Sequence, residues 1–448
     1  MQDCDLLVSH ALLVDAHDGV RSDAGLAVQG SRIVDAGPSS DLASRYRAKR
    51  HLDATGRIAL PGLVNAHTHA SSSLFRGYAS DVSGQGFFDR MWRIEALLSD
   101  EDVYVGALAG CLEMIQNGVT GFANHFSHMD QVARAVEESG MRAGLSRTML
   151  DRGDASLADR EIREGLEFAE RWATRCPRIQ PMLGPHAAYT CSDRLLDRAG
   201  EEARRSGLTL HMHVSESPYE REVMSKRTGT TTVRHLERLG LFEGTRVLGA
   251  HALLLDDAEV ASLGRADFHA AICATGKLNR GQGIADLSRL LEAGINVCLG
   301  TDGSASDNLD VMLGMKVTHL AQNHLHRRPS ALPPETILEM ATTNAGRALN
   351  WEIGRLAPGQ LADFILVDAQ RPHLRPLILE PRSNVMFNLV YYATGADVDS
   401  VVVDGRVIME GRRVATLDAD EILTRLQACA QRLWEEAARE PVGGASRS

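Results

Sequence analysis

The chain has 448 residues, of which 44% are apolar and 24% are charged, the proportions of an ordinary folded enzyme. This composition excludes a disordered, collagen-like or disulfide-stapled protein. The 48 lysines and arginines against 59 aspartates and glutamates give a net charge of −11, which argues against nucleic acid or an anionic membrane and favours a small-molecule substrate.

The cysteines give no sign of a zinc knuckle or a disulfide framework, because the seven of them are scattered and form no CxxC pair. Reduced thiols in the cytoplasm are the simplest interpretation. The N-terminal segment carries acidic residues where a signal peptide needs lysine or arginine. No apolar run reaches the ~18–20 residues of a membrane span. We therefore expect a cytoplasmic protein.

Both ends of the chain have the composition of short β-strands separated by turns. The predicted strands are Asp5–Val14, Gly25–Val28, Arg32–Ala36, Ala362–Val367 and Val398–Val403, with a hairpin turn at Asp404-Gly405. We expect residues 1–57 and 359–414 to pair into one small β-sandwich domain, and two independent β appendages are the alternative. A helix over Asp418–Ala437 and a mobile Gly/Ser tail complete residues 415–448.

Strand-like and helix-like segments alternate through the middle of the chain, residues 58–358, which is typical of parallel βα units. The eight predicted strands are Ile58–Asn65, Val119–Asn124, Arg142–Met149, Gln180–Pro185, Thr209–Val214, Arg246–Ala250, Phe268–Cys273 and Asn296–Gly300. Helical patterns such as Asp100–Asn117 and Asp130–Ser139 separate them. Eight such units predict an α/β fold of the (β/α)8 TIM-barrel type. A doubly wound open sheet is the alternative, although no GxGxxG motif follows an early strand.

Polar residues cluster where the predicted strands end. They are His67 and His69 after the first strand, His186 after the fourth, His211 and His213 near the end of the fifth, His251 after the sixth and Asp302 after the eighth. The carboxyl ends of all barrel strands meet at one face. We therefore expect these residues to converge, although they are far apart in the sequence.

The spacing of His67 and His69 suggests a metal site, because side chains two residues apart in an extended segment share one face. His213 and Asp302 would complete a set of three nitrogens and one oxygen with a position left for water. Neutral imidazole suits zinc or iron. No lysine follows the fourth strand to bridge a second metal, so we expect one divalent ion, with zinc favoured and iron as the alternative.

A hydrolytic metal site also needs a group that moves protons. Glu216, three residues after His213, is placed to take a proton from water and give it to a leaving amine, the alternative being a surface ion pair. His251 is expected to orient the attacking water, or else to be a packed core residue. Asp302 can act both as ligand and as base.

Three other histidines are left with two interpretations each. His211 shares the strand face of His213, and we favour a supporting, packed role over direct metal binding. His125 and His128, expected in the loop after the second strand, either line the mouth of the pocket or face solvent.

The chain resembles the amidohydrolase superfamily, in the branch of cytosine, guanine and adenosine deaminases and s-triazine hydrolases. The matching motifs are PGLVNAHTH (61–69), LGPHAAYT (183–190), HMHVSES (211–217), GAHALL (249–254) and LGTDGSASDN (299–308). The stretch GRLAPGQLADFILVD (354–368) resembles the return of the chain to the family's β-domain. Residues 91–124 and 371–377 look most like the S-adenosylhomocysteine/methylthioadenosine deaminases.

The resemblance implies a metal-dependent aminohydrolase that replaces an amino group on a heteroaromatic ring of purine, pterin, pyrimidine or s-triazine type with hydroxyl. An amide, urea or carbamate hydrolase with the same site is the alternative, and a non-catalytic relative would be expected to have lost ligands. The implied metal ligands are His67, His69, His213 and Asp302, with Glu216 as proton shuttle and His251 near the attacked carbon. The implied substrate contacts are Glu95, Arg147 and His186. A homodimer or larger assembly is also implied, with residues 385–395 as an apolar segment that could form its interface.

Two departures from the family pattern fall on substrate-facing segments. After the seventh strand the chain reads ICATGKLNRGQG (272–283), with Ala274, Gly276 and Lys277 in place of the family's Pro, Ser and Asn. Gly86 stands where adenosine-type deaminases carry a Trp. We expect Ala274–Gly283 to be a flexible loop that sets substrate choice, with Lys277 among the substrate contacts, and a substrate other than S-adenosylhomocysteine itself.

Overall fold

The structure is a computed structural model that describes residues 1–82, 84–305 and 307–439. Its strands are β1 (Gln2–Asp15), β2 (Gly19–Gln29), β3 (Arg32–Pro38), β4 (Tyr46–Asp53), β5 (Arg57–Pro61), β6 (Leu63–His69), β7 (Val119–Phe126), β8 (Arg142–Met149), β9 (Ile179–Pro185), β10 (Leu210–Val214), β11 (Val247–His251), β12 (Phe268–Ile272), β13 (Asn296–Leu299), β14 (Asp302–Gly303), β15 (Phe364–Asp368), β16 (Val398–Val403), β17 (Arg406–Glu410) and β18 (Arg413–Val414). Its helices are α1 (Ser39–Arg45), α2 (Gln85–Glu95), α3 (Asp100–Gln116), α4 (Met129–Ser139), α5 (Ala158–Ala173), α6 (Asp193–Ser206), α7 (Pro218–Thr228), α8 (Thr232–Arg238), α9 (Asp257–Leu263), α10 (Ala274–Asn279), α11 (Leu287–Glu292), α12 (Val311–His326), α13 (Pro334–Ala341), α14 (Thr343–Ala348), α15 (Val385–Tyr391) and α16 (Ala419–Arg439).

The strands at the two ends of the chain form one sheet, in the order β18-β17-β16-β15-β5-β1-β2-β3, with β4 paired to β1. The antiparallel pairing of β15 with β5, where Ile365 lies opposite Leu60, joins the C-terminal strands to the N-terminal ones. The two ends are therefore not independent appendages. The predicted hairpin turn at Asp404-Gly405 is confirmed, with φ values of 54° and 75°. The predicted mobile tail begins beyond Arg439 and lies outside the described residues, and the domain limits remain a prediction.

The middle of the chain forms a parallel barrel in the order β13-β12-β11-β10-β9-β8-β7-β6-β14. The short strand β14 continues the chain of β13 and pairs with β6, where Asp302 lies opposite Thr68. This pairing closes the ring, so the fold is the predicted (β/α)8 barrel and not a doubly wound open sheet.

The first predicted strand, Ile58–Asn65, is wrong as a single element. The chain divides at Gly62, so that β5 joins the terminal sheet and β6 joins the barrel. A Cβ atom at Gly62 would lie 2.1 Å from the Thr120 Oγ1 atom, which explains why only glycine fits where the chain passes between the sheets. His67 and His69 therefore lie inside the barrel strand rather than after it.

An apolar core supports the barrel beneath its carboxyl-terminal face. Small side chains such as Val64, Ala66 and Cys298 fill the barrel interior together with Leu349 of the segment that follows α14. The surrounding helices bury their apolar faces on the outside, as α5 does with Phe168 and Trp172. This packing leaves the open end of the barrel for polar side chains. None of the described helices is both long enough and apolar enough to cross a membrane.

Candidate active site

Three imidazoles and one carboxylate from three different strands meet at the carboxyl end of the barrel. The Nε2 atom of His69 lies 3.4 Å from the Oδ1 atom of Asp302 and 3.4 Å from the Nε2 atom of His213. The Nε2 atom of His67 lies 3.8 Å from the same Asp302 oxygen. The structure thus brings together the four residues that the sequence analysis grouped as metal ligands.

The spacing of these donor atoms fits a single metal ion. Ligand atoms about 2.0–2.1 Å from a tetrahedral ion lie about 3.3 Å from one another, close to the distances observed here. One donor atom of each of His67, His69 and His213 lies within 4.8 Å of the others. The His67 Nε2 atom is buried and has no hydrogen-bond partner among the described residues, as expected of an atom aimed at an ion. Nitrogen and carboxylate donors suit a divalent metal.

The other ring nitrogen of each histidine is held by a hydrogen bond that points the Nε2 atom inward. The Nδ1 atom of His69 donates to the His125 carbonyl, and the Nδ1 atom of His213 donates to the His186 carbonyl at 2.9 Å. Burial and the neighbouring imidazoles lower the pKa of His67 well below its ordinary value, so this ring is neutral. Neutral, oriented imidazoles are the form that binds metals.

His211 supports His67 from behind. The Nδ1 atom of His67 lies 2.8 Å from the Nε2 atom of His211, whose Nδ1 atom lies 2.9 Å from the Ser146 hydroxyl. If His67 donates its Nδ1 proton, His211 must accept at Nε2 and donate at Nδ1. The chain of bonds therefore fixes the tautomers of both rings and keeps His211 away from the donor cluster.

Glu216 and His251 lie beside this cluster. The Nε2 atom of His251 is 3.5 Å from the Oε2 atom of Glu216, and the Tyr189 hydroxyl donates to the Glu216 Oε1 atom at 3.1 Å. One donor atom of each of His213, Glu216 and His251 lies within 4.8 Å of the others. A carboxylate and an imidazole thus lie next to the place where a metal and its water would be.

The turn that presents Glu216 is tied down by Glu220. The buried Glu220 carboxylate accepts hydrogen bonds from the backbone N–H of Ser215 at 3.2 Å and of Glu216 at 2.6 Å, and from the Thr232 hydroxyl. Ser215 has a φ of 51°, a strained value for a residue with a side chain. Burial and the nearby Glu216 charge raise the pKa of Glu220 to about 7.

The donor cluster opens into a cavity of about 400 Å³. One wall is aromatic, since the ring centroid of Phe88 lies 5.5 Å from that of Trp92 and 5.6 Å from that of Tyr219. A cavity of this size with an aromatic wall and a polar end suits a flat ring compound.

Three of the four predicted substrate contacts line this cavity: Glu95, His186 and Lys277. Burial raises the pKa of Glu95 to about 7. A neutral Glu95 carboxyl can donate a hydrogen bond as well as accept one. These three side chains face the same space as the donor cluster, as the sequence analysis expected.

Arg147 is not brought into the cavity. Its guanidinium bonds Glu161 at 2.9 Å and Glu164, both on α5. Because side chains alternate along a strand, Ser146 and Thr148 point into the barrel and Arg147 points out toward the helices. The outward orientation separates Arg147 from the other predicted contacts.

One of the two predicted loop positions is corrected by the structure. His125 lies inside β7 rather than in a loop, and its ring is buried, with its Nδ1 atom 2.9 Å from the Thr148 hydroxyl. His128 does lie in the following loop, where it is exposed and 2.7 Å from an Asp100 oxygen. Strand β7 is longer than predicted because its last residues pair with β8 up to Phe126 and Arg147.

The segment after the seventh strand is not a flexible loop over its whole length. Residues Ala274–Asn279 form the short helix α10, in which Gly276 and Lys277 are buried. The Arg280 guanidinium then lies 3.5 Å from the centre of the Phe87 ring. This contact joins α10 to α2 over the cavity.

The sequence does not reveal several residues that lie in the cavity or support its catalytic groups. Arg152 and Tyr189 follow strands, but nothing in their immediate sequence distinguishes them from ordinary loop residues. The sequence places Glu220 in the first turn of a surface helix. Only the tertiary structure shows that its carboxylate binds the backbone of Ser215 and Glu216.

Comparisons with known proteins agree with this geometry. The chain is 41% identical to a 5-methylthioadenosine/S-adenosylhomocysteine deaminase of Pelotomaculum thermopropionicum, across 94% of this chain and 96% of that protein. It is 37% identical to a 5′-deoxyadenosine deaminase of Methanosarcina acetivorans, across 97% of this chain and 99% of that protein. A solved adenosine deaminase from Xanthomonas campestris with bound zinc superposes with a TM-score of 0.91 at 26% identity, covering 97% and 99% of the two chains.

A solved atrazine chlorohydrolase of Arthrobacter aurescens in complex with zinc superposes with a TM-score of 0.86 at 23% identity, covering 95% of this chain and 100% of that one. This likeness shows the shared fold alone. Residues 58–408, which contain the barrel and the donor cluster, match the amidohydrolase family model. With that match and a relative 41% identical over nearly its whole length, this chain belongs to the amidohydrolase family.

Proposed function

We propose that this protein is a metal-dependent aminohydrolase that replaces an amino group on a heteroaromatic ring with hydroxyl and releases ammonia. The observation that supports this most is the meeting of four metal donors with Glu216 and His251 at the inner end of one aromatic-walled cavity. The named relatives act as deaminases of adenosine-type compounds, which agrees with a ring amine as the leaving group.

The proposed ligands are His67, His69, His213 and Asp302, and the proposed ion is zinc. Burial alone would raise the pKa of Asp302, but the hydrogen bond with His69 and the charges of His251 and Lys277 hold it well below its ordinary value. Asp302 is therefore ionised and ready to bind a cation. When bound, the ion acidifies a water nucleophile so that it can attack at neutral pH.

Glu216 is the proposed proton carrier. Its carboxylate would receive one proton from the attacking water and pass it to the ring nitrogen. It would then take the proton of the newly attached hydroxyl and give it to the exocyclic amine, which leaves as ammonia when the C–N bond breaks. The Tyr189 hydroxyl donates to Glu216 Oε1 at 3.1 Å and so holds the carboxylate in one orientation. His251, next to the other carboxylate oxygen, is proposed to orient the attacking water and to stabilise the charge that develops at the attacked carbon.

The ring of the substrate is proposed to lie along Phe88 and Trp92, with Glu95, His186 and Lys277 as polar contacts. A Glu95 carboxyl with a pKa of about 7 can bond a hydroxyl group of the substrate either as donor or as acceptor. We also propose that α10 and the residues after it, up to Gly283, set substrate choice, since Lys277, Arg280 and Gln282 line the cavity and this segment departs from the family pattern.

The test is ammonia release from the metal-loaded protein across a panel of aminopurines, aminopterins, amino-s-triazines and ureas. Release from at least one ring amine, lost after chelation and restored by zinc, is the expected result. Turnover of ureas or amides without ring deamination would support the alternative, an amide, urea or carbamate hydrolase on the same site. Full activity in metal-free protein would contradict both.

We further propose a homodimer or larger assembly in the cytoplasm. Helix α15 and the residue after it carry a partly exposed aromatic cluster, with the Phe387 and Tyr391 rings 5.4 Å apart and Tyr392 43% exposed. The Phe387 ring lies 5.8 Å from that of His319 on α12. Light scattering at micromolar concentration should give at least twice the mass of the chain, and a monomer would contradict the proposal. The seven free cysteines agree with a reducing compartment.

A further inference from the structure

Lys277 is a buried cation that lines the substrate cavity. The residue is only 7% exposed, and among the described residues no carboxylate oxygen lies within the 4.0 Å of an ion pair from its ammonium. Two other lysines of the chain differ, since Lys49 lies 2.7 Å from Asp5 and Lys226 lies 2.6 Å from Glu222, both on the exposed surface. Asp302 is close enough to interact electrostatically with Lys277 but makes no direct ion pair with it. Burying an ammonium without an ion-pair partner in contact costs free energy, so a ligand that brings such a partner would bind more tightly there.

Two arginines extend the positive charge along the same cavity. Arg280 stacks on Phe87 at 3.5 Å, and the guanidinium carbon of Arg152 lies 5.5 Å from the centre of the Trp92 ring. Arginine held flat on an aromatic ring keeps its N–H groups pointing sideways, where they can bind an oxygen anion. The cavity therefore combines a surface for a planar ring with cations that run from its buried end to its mouth.

The carboxylates that line the cavity have other roles in the proposed reaction. Asp302 binds the metal, Glu216 carries protons and Glu95 meets a hydroxyl group. None of the three lies within 4.0 Å of the Lys277 ammonium in the part of the chain that the structure describes. A bound divalent ion would add further positive charge to the same space. The electrostatics thus favour a ligand that brings negative charge with it.

We propose that the natural substrate is a heteroaromatic amine that also carries a carboxylate group, which binds Lys277 with Arg280 beside it. The proposal rests on the proposed function, because it extends the same site to a class of substrate. A carboxylate would offset the cost of the buried ammonium, whereas a neutral amide or alkyl group in the same place would leave that cost unchanged.

The test is equilibrium binding of 6-aminonicotinate and 6-aminonicotinamide to the full-length, metal-loaded protein by calorimetry. The two compounds share the ring and the amino group and differ only in carboxylate against amide. The carboxylate should bind about tenfold or more tightly, as a charge-assisted hydrogen bond adds more than one factor of ten in affinity. Lys277→Gln should remove this preference, and Lys226→Gln, a matched change of an exposed lysine, should keep it.

Two results would overturn the proposal. One is equal or undetectable binding of both compounds to the wild-type protein. The other is a preference for the carboxylate that survives Lys277→Gln, which would mean that the metal or another cation binds it. Should Lys277→Gln fail to fold, Lys277→Met, which removes the charge and keeps the length, serves in its place.

Failure of this proposal can be told apart from failure of the proposed function, because binding needs no turnover. Ammonia release from neutral aminopurines as efficient as from any carboxylated ring would overturn the substrate class and leave the deaminase intact. A carboxylate preference in binding, without ammonia release from any ring amine, would overturn the deaminase function and leave the carboxylate site intact.

Discussion

Glu216 is the residue on which turnover should depend most strongly. Its carboxylate lies between the Tyr189 hydroxyl and the His251 ring, next to the donor cluster but outside the proposed ligand set. Glu216→Gln keeps the shape and removes the proton acceptor, so kcat should fall by about a hundredfold to ten-thousandfold. Steady-state kinetics measures this change.

The metal content of Glu216→Gln, determined by elemental analysis, should equal that of the wild type. Glu222→Gln is the matched control, since Glu222 is exposed on α7 and, among the described residues, its carboxylate bonds only Lys226. Loss of the metal in Glu216→Gln, or kcat unchanged from the wild type, would show that Glu216 is not the proton carrier.

His211 should affect the metal without touching it. Its Nε2 atom accepts the proton that orients His67, and replacing it with an apolar group leaves a buried N–H without a partner. His211→Leu should therefore weaken metal affinity by about tenfold to a hundredfold, and His211→Gln, which keeps an acceptor, should recover part of it. Competition with a fluorescent chelator measures the affinity.

His269→Leu is the control for His211, because His269 is also buried in the barrel but bonds Asn296 and Asp267 instead of a proposed ligand. Its metal affinity should match the wild type. Equal affinities in His211→Leu and His269→Leu would contradict the supporting role of His211.

At the scale of elements, the turn between β10 and α7 depends on one buried carboxylate. Glu220 binds the backbone N–H groups of both Ser215 and Glu216, and Ser215 is held at a strained φ of 51°. Glu220→Gln should lower kcat by about tenfold or more, because an amide nitrogen would face one of these N–H groups and misplace Glu216. Metal content should not change, since the ligands lie on the strands.

The same residue gives a pH dependence. Burial raises the pKa of Glu220 to about 7 in the folded chain, above its ordinary value, so the folded state binds this proton more tightly than the unfolded state does. The contribution to the free energy of unfolding is therefore fully present in acid and is lost as the pH rises through about 7. The stability of the wild type relative to Glu220→Gln, from urea unfolding, should fall between about pH 5 and pH 7. If the stability difference between the wild type and Glu220→Gln stays constant or rises over this pH range, the predicted pH dependence is wrong.

Much of the element pattern can be predicted from the sequence because parallel barrel strands are buried on both faces. Runs such as residues 247–250 in β11 are therefore continuously apolar. The predicted limits of β8, Arg142–Met149, are the observed ones. The break at Gly62 was missed because an apolar run does not say which sheet it joins. The helix α10 was missed because six residues that include a glycine carry too little periodicity to reveal it.

The predicted site depends on the same logic. Strand ends converge in any barrel, so His67, His69, His213 and Asp302 could be grouped from order alone. The prediction of Arg147 as a substrate contact is wrong, because a shift of one residue along a strand reverses the direction of the side chain. Glu220 and Arg152 act through contacts between distant segments, and no local pattern encodes such contacts.

For the whole molecule, the proposed ligands tie together parts of the barrel that are far apart in sequence. Strands β6 and β14 meet where the ring closes, and β10 lies across the barrel from them in the strand order. An ion held by His69, His213 and Asp302 would thus link the seam of the barrel to its far side. A metal that binds the folded chain and not the unfolded chain stabilises the folded state. The gain is set by the ratio of the free metal concentration to Kd.

Metal-free protein should therefore unfold at a lower temperature than the zinc-loaded protein. With free zinc at about a hundred times Kd, the gain should be about 2.7 kcal/mol in the free energy of unfolding. Differential scanning calorimetry after chelation and after zinc addition measures the shift. Glu216→Gln should show the full shift because it keeps the ligands, and His213→Ala should show little of it because it removes one. A melting temperature that does not respond to zinc in the wild type would mean that the four donors do not act as one site, whatever their distances from one another.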